Sequence, residues 1–128
     1  MKLLDIIENN TFIDKLYPYD INTFFIPKIN ISTFNAGHTT FFFHIKEKPA
    51  IKINKKGDWG NDYSVVVLEL SANLNELNIT NIRNFKYEKI HIEFKDNILL
   101  LTQEGDNFSF NCKIDGKFYF QGLSTYME

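Results

Sequence analysis

The stretch Trp59-Gly60-Asn61-Asp62-Tyr63-Ser64-Val65-Val66-Val67-Leu68-Glu69-Leu70 constrains this chain more than any other. It opens with turn formers and the only tryptophan, then becomes the longest β-branched and leucine run in the sequence. A short apolar run bounded by turn signals reads as a strand with at least one covered face. Val66, Leu68 and Leu70 are all apolar, whereas Tyr63, Val65 and Val67 lead to Glu69. One face is therefore buried throughout, and the other is buried at its start and solvated at its end. This is the expected central strand.

Before it, Leu3, Leu4, Ile6, Ile7, Ile13 and Leu16 recur at roughly helical spacing, interrupted by Asn9-Asn10-Thr11, which can cap a new turn. One short helix or a broken pair is expected, stopped by Tyr17-Pro18-Tyr19-Asp20 because the residue before a proline is pushed out of helical geometry. From Ile21 the period becomes two. Ile29, Ile31 and Thr33, then Phe41, Phe43 and Ile45, form a hairpin about Asn35-Ala36-Gly37-His38, with Pro27 marking a sheet edge or the start of its strand. Glu47 to Gly60 is a polar loop, extended at most briefly from Ile51 to Ile53. After the central strand, Ser71-Ala72-Asn73 reads as a turn and Leu74 to Ile79 as a further short strand or arm. The C-terminal third alternates most clearly, through Ile90, Ile92 and Phe94, then Ile98 to Thr102, then Phe108, Phe110, Cys112 and Ile114. Its turns are expected at Asp96-Asn97, Glu104 to Asn107 and Asp115-Gly116. The sum is a mainly β (α+β) single domain over 1–128: an N-terminal helix followed by an antiparallel meander of about eight or nine strands, as a curled sheet or a flattened sandwich.

Thirteen Phe and six Tyr strengthen the sheet reading, since aromatic and β-branched residues fit a pleated, half-buried surface. Fourteen basic against sixteen acidic residues give a net charge of −2, too little positive field to recruit nucleic acid. A single cysteine, Cys112, allows no intrachain disulfide and suits a reducing compartment. The N-terminal run carries acids, lacks the apolar length and small-residue cleavage site of a signal peptide, and no stretch reaches the roughly 20 apolar residues of a membrane span. A soluble cytoplasmic protein is expected.

The order of landmarks along the chain resembles the bacterial immunity proteins catalogued as number fifty among the polymorphic-toxin immunity families. In that family a proline, an aromatic residue and an Asp precede the first strand, as Tyr17-Pro18-Tyr19-Asp20-Ile21 does here. A hairpin with a glycine at its turn follows (Gly37), and its second strand ends near a proline (Pro49). A Trp with a following Asn introduces the main strand (Trp59-Gly60-Asn61-Asp62-Tyr63), and a short C-terminal strand ends on an aromatic (Leu123-Ser124-Thr125-Tyr126). The family often has His before the first Asp, where this chain has Tyr19, and from Asn81 to Asn111 only the pattern is similar. The resemblance implies a protein that binds and blocks a cognate toxin domain inside the producing cell, by stoichiometric occlusion and without cofactor or turnover.

The residues themselves supply little chemistry. His38, His44 and His91 sit in a turn or on polar faces with no partner at metal-ligand spacing, and read as solvated. Cys112, between Phe110 and Ile114 on an apolar face, reads as a buried inert thiol. The carboxylates are scattered, no phosphate-cradling loop exists, and neither an enzyme nor a metal or cofactor site is expected. Trp59 admits two roles, a plug at the end of the sheet or an anchor for a partner, of which the plug is favoured. With Asp58, Asp62, Tyr63 and Glu69 it forms the candidate partner-binding set, whose acids would suit a basic toxin such as a nuclease. The alternative from another class is a small-ligand or carbohydrate-binding β-module using Tyr63, Tyr87 and Tyr119 as exposed aromatics.

Overall fold

A computed structural model describes residues 2–8, 10–34, 37–53 and 57–128. Asn35 and Ala36 of the expected hairpin turn Asn35-Ala36-Gly37-His38 thus lie outside the described residues, as do Asn9 and Lys55-Lys56. The described residues form seven strands: β1 (Thr23–Ser32), β2 (His38–Ile45), β3 (Val65–Thr80), β4 (Glu88–Lys89), β5 (His91–Lys95), β6 (Ile98–Gly105) and β7 (Phe108–Tyr126). They make one antiparallel sheet in the order β4-β1-β2-β3-β7-β6-β5. The strand expected to be central is the fourth of the seven. Val66, Leu68 and Leu70 are fully buried, and Val65 and Val67 are covered on the opposite face before Glu69 emerges.

The sheet has fewer strands than the eight or nine expected because two predicted turns are bulges. Ser71-Ala72-Asn73 does not turn. β3 runs on to Thr80, absorbing register shifts at Glu69/Leu70, Ser71/Asn73 and Leu74/Glu76 against β7. Asp115-Gly116 does not make a hairpin either. Gly116 takes its positive φ of 69° inside β7, where Asn73 pairs with Asp115 and Ser71 with Tyr119, so the extra residues of β7 bulge out instead of reversing the chain. Asp96-Asn97 is a tight turn as expected, both residues having positive φ (53° and 61°). Gly37, with φ of 75°, lies where an added Cβ would sit 2.6 Å from the Leu74 carbonyl oxygen, so the glycine at this turn is required by space as well as by backbone geometry.

The N-terminal helix is two pieces, a 3-10 turn (Leu3–Asp5) and the six-residue α1 (Thr11–Leu16). Asn10 caps α1, its Oδ1 accepting from the Ile13 amide at 3.0 Å. This segment closes the apolar interior. Leu3, Ile6, Ile7, Ile13 and Leu16 are buried in the same core as the sheet. Its chain is tied to β7 by the Phe118 amide donating to the Ile6 carbonyl and the Glu8 amide to the Phe118 carbonyl, both 2.8 Å. Phe24, Phe43, Phe118 and Phe41 pack edge-on across the interior at 5.2–5.4 Å between successive centroids.

The two ends of the sheet belong to one continuous segment. β4 pairs with β1, β5 pairs with β6, and only Ile90 separates them. The sheet must therefore curl until its ends meet. The Ile90 amide donates to Asn22 (2.7 Å), and one buried side chain spans the seam: the Gln103 amide of β6 donates to the carbonyls of Phe24 (2.8 Å) and Glu88 (3.0 Å), a cross-strand pair of β1 and β4. Pro27 stands past the β4 pairing, on an edge with no strand beyond it among the described residues, which suits its missing N–H. Gln103→Leu is expected to lower the unfolding free energy by about 1–3 kcal/mol, since two buried carbonyls lose a donor. Urea denaturation measures this, and an unchanged midpoint would show that the seam carries no such weight.

Candidate functional site

The end of the sheet where β2 finishes and β3 begins gathers residues from four parts of the chain. The Tyr17 hydroxyl donates to the Glu47 carbonyl at 2.9 Å, and the Tyr19 hydroxyl donates to that of Lys48. The Ala50 amide donates to the Leu16 carbonyl at 2.8 Å. The loop after β2 is thus stapled to the N-terminal segment by backbone and phenol groups. Burial is the main reason the Tyr17 hydroxyl holds its proton far above the ordinary tyrosine range, so it acts as a fixed donor.

Across from that loop, residues 58–63 fold on themselves. The Asp58 carbonyl accepts from the amides of Asn61 (3.2 Å) and Asp62 (2.8 Å), and the Asp58 amide donates to Asp62 Oδ2 (2.7 Å). Gly60, with φ of 87°, allows the reversal. Trp59 stands edge-on to the buried Tyr63, with ring centroids 5.6 Å apart. Between the two loops lies an open cleft of about 270 Å³, lined by Lys48, Pro49, Ile51, Lys52, Asp58, Trp59 and Tyr63 among others. Lys52 Nζ reaches Asp58 Oδ1 at 3.1 Å.

Of the candidate partner-binding set, the structure brings four residues together and leaves one apart. Asp58, Trp59 and Tyr63 line the cleft, and Asp62 braces the loop that carries them. Glu69 lies about 13 Å further along β3 than Val65, four residues at roughly 3.3 Å each. It faces Phe42 and Gly122, where an added Cβ would meet its Oε2 at 3.1 Å. The expected acidic patch therefore does not form as one surface: Lys52 offsets Asp58, and Asp62 is engaged with backbone. Trp59 is half-buried against the core, and it also borders the cleft. The exposed-aromatic platform of the carbohydrate reading loses a member, since Tyr63 is buried, and Tyr87 is half-covered while Tyr119 is 57% exposed.

A second constellation was not legible in the sequence. On the outer face, Phe25, His44, Tyr87 and Tyr126 form a ring cluster with neighbouring centroids 5.4–5.5 Å apart. His44 Nδ1 and the Tyr126 hydroxyl are 2.8 Å apart. Lys46 Nζ lies 4.3 Å from the Tyr87 centroid and 2.9 Å from Glu128 Oε2. His44 is therefore not the solvated histidine expected, because the β1 and β2 register sets Phe25 beside it. The signal available was Phe25 and His44 both facing outward, but only register shows that they touch. His38 and His91 are exposed, and Cys112 is fully buried, its thiol pushed up to about 12 by burial. Among the described residues, no three or more His, Cys, Asp or Glu side chains gather as a metal site requires, and no helix is long and apolar enough to cross a membrane.

Burial lowers the proton affinity of His44 below the ordinary value of 6.5, with Glu128 pulling the other way. The unfolded chain then takes up this proton at a higher pH than the folded one. Neutral His44 contributes stability that is complete above about pH 6.5 and lost as pH falls through that value toward the lower folded one. Denaturation midpoints of the wild type should fall relative to His44→Phe over that range, and parallel pH profiles would contradict the assignment.

No known family, curated protein or solved structure matches this chain.

Proposed function

We propose that this chain is an immunity protein that neutralises a cognate toxin domain by binding it stoichiometrically at the cleft end of the sheet. The single observation that carries the reading is spatial. The landmarks that resemble the immunity family are scattered from Tyr17 to Tyr126, yet four of the five meet at one end. Tyr17 and Tyr19 hold the loop that contains Pro49, Pro49 and Trp59 line the same cleft, and Tyr126 pairs with Val65 at the start of β3. Only Gly37 lies at the opposite end of the hairpin.

The arrangement suits occlusion. A tryptophan edge, a proline and an isoleucine supply apolar contact, and Lys48, Lys52 and Asp58 supply a charged border. At about 270 Å³ the cleft is smaller than most pockets that hold small molecules and accommodates one inserted side chain. Because Lys52 offsets Asp58, complementarity rests on shape and paired charges, with no requirement for a strongly basic toxin. The second reading, a carbohydrate module, draws on Trp59 at the cleft and calls for a Trp59 fluorescence change on titration with sugars.

Co-expression with the product of the gene immediately upstream is expected to protect cells and to yield a co-eluting complex. Trp59→Ala and Asp58→Lys should each weaken that complex by about tenfold or more, as removal of interface anchors does, while circular dichroism and melting show the fold retained. Absence of both protection and complex would overturn the reading. A complex of unchanged affinity in both variants would move the interface away from the cleft.

A further inference from the structure

The sheet has free edges, and they are not alike. Beyond Phe24, β1 is interrupted by Pro27 and by a bulge between Phe25 and Lys28. Beyond Asn73, β3 is bulged at Leu74/Glu76 and carries exposed Asn75, Glu76 and Asn78. Prolines, bulges and polar residues are the usual devices against strand addition. The outer edge of β5 is short and carries charge at Glu93 and Lys95, but it has neither proline nor bulge. It pairs with β6 in unbroken register from His91↔Thr102 to Lys95↔Ile98, and among the described residues no strand lies beyond it.

The hairpin geometry fixes which groups face outward. Lys95 and Ile98 flank the two-residue turn Asp96-Asn97, and such flanking pairs exchange both backbone hydrogen bonds. Glu93 and His91, in phase with Lys95, also face β6. Ile92 and Phe94 therefore turn their N–H and C=O groups to the open side. Phe94 sits opposite Leu99, on the core side of the sheet, yet it is 50% exposed whereas Leu99 is fully buried. A large aromatic ring on the core side is left half-covered where, among the described residues, no strand flanks the edge.

We infer that β5 pairs with β5 of a second copy of this chain, antiparallel and centred on Phe94. Charge selects the occupant and the register. Centred on Phe94, the strands place Glu93 opposite Lys95 of the second copy, twice by symmetry, and Phe94 opposite Phe94. Centred on Glu93, the strands use the same outward amides but set two glutamates face to face, which is destabilising. The sequence Glu93-Phe94-Lys95 is thus self-complementary in one arrangement and repulsive in its nearest competitor. A contact of this isologous kind closes as a two-fold dimer and does not propagate. It covers Phe94 on both copies. A five-residue edge buries less than a standard interface, so the dimer is weak, in the micromolar range or above. The inference does not rest on the toxin reading, and the cleft lined by Trp59 is formed from other elements.

Sedimentation velocity over a range from about 1 μM to several hundred μM should show wild type moving from monomer toward dimer. Glu93→Lys alone and Lys95→Glu alone should each raise the dissociation constant by about tenfold or more, since each sets like charges opposite one another. An equimolar mixture of these two variants should dimerise, because each then meets its complement, and the double exchange in one chain should restore the homodimer. Lys28→Glu, on the blunted edge of β1, should leave the equilibrium unchanged. A wild type that stays monomeric across the range overturns the inference. So does a dimer indifferent to the single reversals, or a mixture that behaves as its two components do alone.

Discussion

The buried amide of Gln103 is the contact on which the rest of the molecule depends. A curled sheet has two terminal strands whose backbone groups must go somewhere once water is excluded. Here the segment from Glu88 to Lys95 serves both ends, pairing first with β1 and then with β6. The joint between those duties cannot be closed by regular strand pairing, because the chain changes partner at Ile90. Gln103 bridges it with two donations from one nitrogen to the carbonyls of Phe24 and Glu88. The apolar interior behind it, with Phe24, Phe43 and Phe118 in edge-to-face contact, is enclosed because that joint holds.

Much of this was legible from residue patterns. Val66, Leu68 and Leu70 announced the central strand, and Asn10 and Asp96-Asn97 announced a cap and a turn through local chemistry alone. What failed was the meaning of turn signals inside long strands. Gly116 and the Ser71 to Asn73 stretch look like reversals, but β3 and β7 are held together along most of their length, and the positive φ of Gly116 is spent on a bulge. No local rule distinguishes these outcomes, because pairing with a distant strand decides between them. Gln103 is a subtler case. It follows Leu99 and Leu101 on the inward face, a polar residue on an apolar stripe, and that mismatch was the mark of the seam.

The candidate site was legible in the same partial way. Residues close in sequence, Asp58 to Tyr63, do form one loop at a cleft. Glu69 was included because it continues the same run, and the rise of an extended strand carries it away from the others. The opposite wall of the cleft, from Lys48 to Lys52, and the phenols that hold it came from segments whose approach depends on the closure of the whole sheet. The cluster of Phe25, His44, Tyr87 and Tyr126 was hidden for the same reason.

A surface built on a closed sheet is present before its partner arrives, so binding need not order it first, and less of the contact free energy is lost to entropy. In that account the cleft end is the region a toxin contacts. Hydrogen exchange of the chain with and without the product of the gene immediately upstream tests this most directly. The account predicts slowed exchange concentrated at residues 47–53 and 57–63. Slowing confined to β5, β6 and the outer face of β7, with the cleft loops unchanged, would contradict it.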